Sequence, residues 1–378
     1  MSKVFISLSK SEELSHNIED TLLKSTNNLS WLKPGDKVLL KVALNSPDPH
    51  PATTHPEAVK TIFKILKNRG AEVIVGDQSG IEHVVHTPKG IIKGSSAKNF
   101  ITSQMGDENI PFTAFEDLGW DDGFFHFNHE KCTSWKNGFY ISDIINRVDH
   151  IINLPRLSTH IQSGVTLGLK AAVGFLREDS RLEFHQDGPF AKQLNSFAKD
   201  SGLKTDYKNE NKFIEKITEI SLALQEKLRL TFYTASKMQT TFGPDKKLMN
   251  LAKSYVVTPE KSIIIASNDI ISAEAAASCM LKYHYDRHTP IVNKFVEKLL
   301  LSQSNKNHIS NITMENNKFI NYGAKIGLGS KNFAIAWSGA DENDKNNFLS
   351  YCYPELLAYR QAGIQDPPRH TESTPHGF

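Results

Sequence analysis

The chain has 378 residues, 39% hydrophobic and 23% charged, with a formal net charge of +2. That length suits one large or two closely packed domains, and the composition excludes wholesale disorder. The near-neutral balance gives no global pull toward nucleic acid or an anionic membrane. Cys132, Cys279 and Cys352 are scattered and form no CxxC pair. They argue against a disulfide framework, a zinc ribbon and a four-cysteine iron–sulfur site, and they suit a reducing compartment. No stretch has signal-peptide character or the length to span a membrane. The sequence therefore reads as a cytoplasmic protein with no nucleic-acid or membrane partner.

In chain order, Leu14, Ile18, Leu22 and Leu23 recur at helical spacing after Ser11, a candidate N-cap. Pro34-Gly35-Asp36 is a turn, and Lys37–Leu44 a short apolar run that predicts a buried strand. Pro56 opens a helix carrying Val59, Ile62, Phe63 and Leu66, which Arg69-Gly70 closes. Ala71–Asp77 is the next strand. Strand, helix and strand in this compass predict a parallel βαβ unit.

Residues 80–135 have weak periodicity and read as long loops with a helix near 95–105. Ser142–Val148 is a short helix and His150–Pro155 a strand. Gln162–Leu176, with small residues Gly164, Gly168, Ala171, Ala172 and Gly174, reads as a helix packed closely on a sheet. Residues 177–208 read as a polar loop or insertion. Phe213–Leu228 is strongly amphipathic. Strands are predicted at Leu230–Tyr233, Tyr255–Thr258, Ser262–Ala266 and Asn332–Trp337, and helices at Ala273–Tyr283, Ile291–Leu301 and Gly323–Leu328. The expectation is an α/β fold, a mostly parallel sheet with helices on both faces. An N-terminal half spans 1–176 and a C-terminal half 209–366, and the tail at 367–378 is frayed.

Four stretches in this order resemble the domain of unknown function (DUF) 362 family. They are Leu40-Lys41-Val-Ala-Leu-Asn45-Ser-Pro47, and Thr53-Thr54-His55-Pro56-Glu57 leading to Gly76-Asp77-Gln-Ser79-Gly80. Then come Asn153-Leu154-Pro155-Arg156 through His160 to Gly168-Leu169-Lys170, and Gly243-Pro244 with Asn268-Asp269, Glu274 and Gly327-Leu328-Gly329. The chain departs from the family pattern at several points. His55 stands where Asp is common, Arg156 where Lys is common and Glu274 where a second Asp is common. No acid lies between Thr231 and Thr241, ahead of Gly243, where the family usually has one. The Cys-rich insert of some members is absent, so the resemblance carries no iron–sulfur chemistry here.

In an open parallel sheet, ligands bind beyond the carboxyl ends of the strands. Lys41, Asp77 and Arg156 fall at three such ends, His160 just past one and Lys170 ten residues later. Lys41, Arg156 and Lys170 would bind an anionic substrate, with Asn45 and Ser79 on the rim. His160 or Asp77 would move a proton. A helix cap is the alternative for Asp77 and for His160, and an ordinary charged strand end for Lys41 and Arg156. Gly-Asp-Gln-Ser-Gly is not a dinucleotide fingerprint, so NAD is not expected. A divalent metal stays open, with His126, His129 and Cys132, or His50, His55 and Asp77, as donors. His185 and Asp187 lie in a segment able to cover the site.

These parts suit an enzyme doing isomerase, racemase or lyase-type acid–base chemistry on a small anionic metabolite. A non-catalytic ligand- or metal-binding protein is the alternative. A protein-interaction scaffold would show exposed apolar helices, and the sequence displays no obvious one.

Overall fold

The computed structural model describes residues 1–107, 109–188, 201–203, 208–245, 247–248, 252–301 and 307–353. The expected tail at 367–378 and much of the 177–208 stretch lie outside them.

The strands that frame the site are β1 (Ser2–Ser9), β2 (Lys37–Val42), β3 (Glu72–Asp77), β4 (Phe112–Ala114), β5 (His150–Leu154), β6 (Ser158–His160), β7 (Gly164–Thr166), β8 (Leu228–Ala235), β9 (Met238–Gln239), β10 (Val256–Val257), β11 (Ser262–Ser267) and β12 (Phe333–Ser338). The helices are α1 (Leu14–Ser25), α2 (Pro56–Asn68), α3 (Gly168–Ala171), α4 (Glu178–Gln186), α5 (Phe213–Ile220), α6 (Ile270–His288), α7 (Ile291–Leu301), α8 (Lys318–Lys325) and α9 (Glu342–Cys352).

Eight strands form one sheet in the order β12-β1-β11-β8-β5-β2-β3-β4. Only β11 runs against the others. The fold is thus the expected mostly parallel α/β sheet, and strands of both sequence halves interleave in it. A second sheet, β7-β6-β9-β10, stands beyond the end of β5.

Side chains alternate across the main sheet, as a pleated strand requires. Val38, Leu40 and Val42 point to one apolar layer, closed by Leu14, Ile18 and Leu22 of α1 and by Val59, Ile62 and Leu66 of α2. Leu39 joins the opposite layer, under α5, α6 and α8. Lys41 shares the Leu39 face by the same period of two, so its cation enters the fold on the side where β5 leads into α3.

Three local expectations are corrected. Gln162–Leu176 is not one helix: β6 and β7 form a hairpin with His160 opposite Gly164, and a short α3 follows. Gly164 sits at φ +81°, and a Cβ there would run into the Asn307 carbonyl, so the chain turns where helical spacing suggested continuity. Residues 178–186, read as loop, are α4. Its face buries Leu182 and Phe184 but also Glu178, Arg181 and Gln186, so polarity hid the helix. Ser11 does not cap α1: a 3₁₀ turn at Ser11–Glu13 precedes that helix, whose N-cap is Glu13.

The sequence reading also passed over β1 and α9. Cys279 of α6 and Cys352 of α9 are joined by a disulfide, with Cα atoms 5.6 Å apart, and Cys132 is free and buried. The scattered cysteine spacing, read against a disulfide framework, gave no sign of this single link. The partners lie 73 positions apart, and only the packing of α9 on α6 brings them together. Among the described residues, no helix is long and apolar enough to cross a membrane.

Candidate functional site

β3, β2 and β5 are neighbours, with Lys41 in register with both Gly76 and Asn153. Their carboxyl ends therefore bring Lys41, Asp77 and Arg156 to one edge, as the sequence predicted.

Lys41 and Asp77 form a buried ion pair at 2.7 Å. Lys41 Nζ also donates to the carbonyls of Val42 at 2.7 Å and Ala171 at 3.0 Å, which occupies all three of its donors. Asp77 accepts from the Leu44 N–H at 2.7 Å and the Gln78 N–H at 2.8 Å. Burial draws the Lys41 ammonium down and Asp77 pushes it back up. Gly174 passes so close that a Cβ would meet both Asp77 Oδ1 and Lys41 Nζ. The pair ties β2, β3 and the turn after α3 into one frame. Lys41 keeps no free donor, and three acceptor positions of Asp77 are taken.

Arg156 is buried, and its Nη1 donates to the carbonyls of Ala52 and Pro244. Nε and Nη2, one planar edge of the guanidinium, have no acceptor among the described residues. Burial lowers its pKa to about 10 against the nearby charges of Asp245, Asp48 and Asp77.

His160 ends β6. Its Nδ1 accepts from the N–H groups of Gln162 at 3.1 Å and Ser163 at 3.4 Å, so the neutral ring carries its proton on Nε2. Burial, then the charges of Lys170, Arg156 and His185, hold it well below the ordinary range.

Lys170 lies in the only turn of α3, brought back toward β6 by the β6–β7 hairpin. Its ammonium is buried over the Phe184 ring, 5.6 Å from the centroid, and no carboxylate or carbonyl among the described residues accepts from it. Burial, then Arg156 and Arg181, lower it to about 7. His185 of α4 donates Nδ1–H to the Arg181 carbonyl at 2.7 Å, and burial with the Lys170 charge lowers it to about 3. Arg156, His160, Lys170 and His185 thus sit within electrostatic reach of one another.

Ser79 is placed differently from a pocket rim, whereas Asn45 is half-buried beside Asp245. Asn45 Nδ2 donates to Asp245 at 2.5 Å. Ser79 is fully buried, accepts from Asn99 at 3.0 Å, and gives its carbonyl to Arg181 at 2.6 Å.

Four more residues shape the site, of which Arg181 and Asp245 were not singled out from the sequence. Asp245 pairs with His83 at 2.9 Å as well as with Asn45. Burial opposes its charge, but His83 and Arg156 hold Asp245 below its usual range. Asp245 directly follows Gly243-Pro244, so an acid does stand beside that pair, after it and not before it. Arg181 donates to the carbonyls of Leu176, Ser79, Gln78 and Gly174, lacing α4 to the β3 end. Glu274 accepts from the Leu169 N–H at 3.0 Å and from Tyr233 at 3.2 Å, and burial raises it to about 7. It holds the start of the helix that carries Lys170. His55 caps α2 through Nδ1, accepting from the Glu57 N–H at 3.2 Å, which is the capping chemistry an Asp would supply.

Glu82, His83 and Asp245 each place a ligand atom within 4.8 Å of the others and could hold a cation. Neither donor set named from the sequence forms such a group among the described residues. His126 lies in a strand, Phe124–Phe127, where i and i+3 diverge, and Asp77 is committed to Lys41.

The family model for a domain of unknown function, DUF362, matches residues 38–278. The chain belongs to the DUF362 family. A curated relative, a thylakoid-associated protein of Synechocystis sp., is 26% identical over 181 residues, 47% of this chain and 50% of the relative. The chain therefore spans about half the length of that relative. In this DUF362 chain the matched region holds every member of the cationic cluster and both partners of the Lys41–Asp77 pair.

Proposed function

We propose that the cluster of Arg156, His160 and Lys170 binds a small carboxylate and moves a proton at the carbon beside it. The observation that supports this reading is Lys170, a buried amine among cations with no acceptor among the described residues. A charge so placed is costly unless an anion joins it or the amine gives up its proton. Both serve the same chemistry.

The Nε/Nη2 edge of Arg156, which has no acceptor among the described residues, suits bidentate contact with a carboxylate. Lys170, with a pKa of about 7, exists partly as free amine near neutral pH and can act as the base. His160, neutral and donating through Nε2, can stabilise negative charge developing on a substrate oxygen. Isomerisation, racemisation or elimination needs no more from the protein than these three roles. Lys41, Asp77 and Arg181 hold the frame. This division moves proton transfer from His160 and Asp77 to Lys170 and keeps His160 as a hydrogen-bond donor.

A thermal-shift screen of 2-hydroxy, 2-oxo and amino carboxylates, with hydrogen–deuterium exchange at the α-carbon followed by NMR, tests it. Stabilisation with exchange that Lys170→Met abolishes is expected. Stabilisation without exchange in the wild type would leave a binding protein only, and no stabilisation by any carboxylate would refute the reading.

A further inference from the structure

α7 is amphipathic, and it is mounted with its polar side inward. Glu297, its one acid, is buried; it accepts from the Phe242 N–H at 2.8 Å and pairs with His308 at 3.0 Å. Lys294 folds back to the Asp286 carbonyl at 2.6 Å. Leu301 packs inward with Ile161 and Phe242. The outer face carries Ile291, Val292, Phe295, Val296, Leu299 and Leu300, with Ile291 81%, Leu299 70% and Phe295 66% exposed. At helical spacing these six positions cover roughly half the circumference. This corrects the expectation of no exposed apolar helix. The period of Ile291–Leu301 was legible, but which side faces the core was decided by Glu297 and His308.

A continuous apolar half-helix turned to solvent marks a docking surface. The charges beside it select the occupant. Lys298 is exposed on one edge of the face, Arg287 is exposed in the last turn of α6, just before α7, and no exposed acid lies on the helix. An antiparallel two-fold pairing with a second copy would set that cationic edge against itself. An anionic surface complements it. We propose that α7 docks on an anionic lipid surface, lying in the interface plane with its apolar face among the acyl chains. The sequence predicts no membrane partner because no segment could span one; peripheral docking requires no spanning segment and reverses that expectation. Because Ile161 adjoins His160 and Phe242 leads into Gly243–Asp245, docking would bring the cationic cluster close to the lipid surface.

Flotation of the full chain with vesicles of neutral phosphatidylcholine, with and without anionic phosphatidylglycerol, tests the proposal. The expected result is binding to the anionic vesicles that falls about ten-fold or more on neutral ones and in high salt. Phe295→Ser with Leu299→Ser should lower it by a similar factor, and Lys298→Glu several-fold. The replaced side chains are exposed, so circular dichroism and the thermal midpoint should stay unchanged and rule out misfolding. Absence of vesicle binding, or equal binding by wild type and the double variant, would overturn it. So would a dimer in sedimentation that the double variant turns into a monomer, since the face would then belong to a second copy.

Discussion

Replacing Asp77 by Asn separates a structural frame from a reacting group. The change keeps the shape and removes the charge that Lys41 faces at 2.7 Å, in a place closed to water. Breaking one side of a buried ion pair costs about 3–5 kcal/mol, because the remaining charge stays desolvated. The Asn oxygen can serve only part of the set formed by the Leu44 N–H, the Gln78 N–H and Lys41 Nζ, which keeps the cost at the upper end. With an unfolding entropy of about 2.1 cal/mol/K per residue, a chain of 378 residues loses roughly 4–6 °C of thermal midpoint for that change. Lys41→Met alone should cost a similar amount. The double variant Lys41→Met with Asp77→Asn should cost less than the sum of the singles by about 1–3 kcal/mol, since no unpaired charge remains. Thermal unfolding followed by circular dichroism at neutral pH reads all four corners of the cycle. A midpoint for Asp77→Asn within about 1 °C of wild type, with ligand-induced stabilisation lost, would refute the frame and return Asp77 to the reacting groups.

Four further outcomes follow from the same contacts. Carboxylate affinity measured by calorimetry should weaken as pH rises through about 7, where Lys170 loses its proton, and Lys170→Met should flatten that dependence. Glu274 has a raised folded pKa of about 7, so the native state holds its proton more tightly than the unfolded chain, and stability is lost as pH rises from the unfolded value through 7. Glu274→Gln should therefore gain thermal midpoint relative to wild type at pH ~8.5 and little at pH ~5; equal shifts at both would disprove the assignment. Gly174→Ala drives a methyl into Asp77 and Lys41 and should destabilise by about 1–3 kcal/mol in urea unfolding. Cys352→Ala should lower the thermal midpoint by an amount worth about 2–4 kcal/mol without reductant, and the difference should vanish when dithiothreitol opens Cys279–Cys352 in the wild type.

Much of the sheet was legible because strands buried on both faces read as short apolar runs between turns. Lys37–Val42, Glu72–Asp77 and His150–Leu154 show that pattern, and the βαβ rule then fixes the order in which the first two pair. The same rule placed Lys41, Asp77 and Arg156 at one edge, since residues at strand ends are located by counting. Periodicity could not tell how far each group is already satisfied. Lys41 and Asp77 look like a cation and a base in sequence, and hydrogen bonds from the Leu44 and Gln78 N–H groups and to the Val42 and Ala171 carbonyls turn them into a joint. A helix from Gln162 would carry Lys170 away from the strand ends. Gly164, held at positive φ under the Asn307 carbonyl, starts a hairpin there and returns Lys170 toward His160. The orientation of α7 and the Cys279–Cys352 link depend likewise on partners that the chain supplies from far away. Local sequence determined where most of the central strands and their helices form. Tertiary packing decided which charges are spent on the frame and which are left for a ligand, because satisfaction of a buried polar group depends on all its neighbours in space.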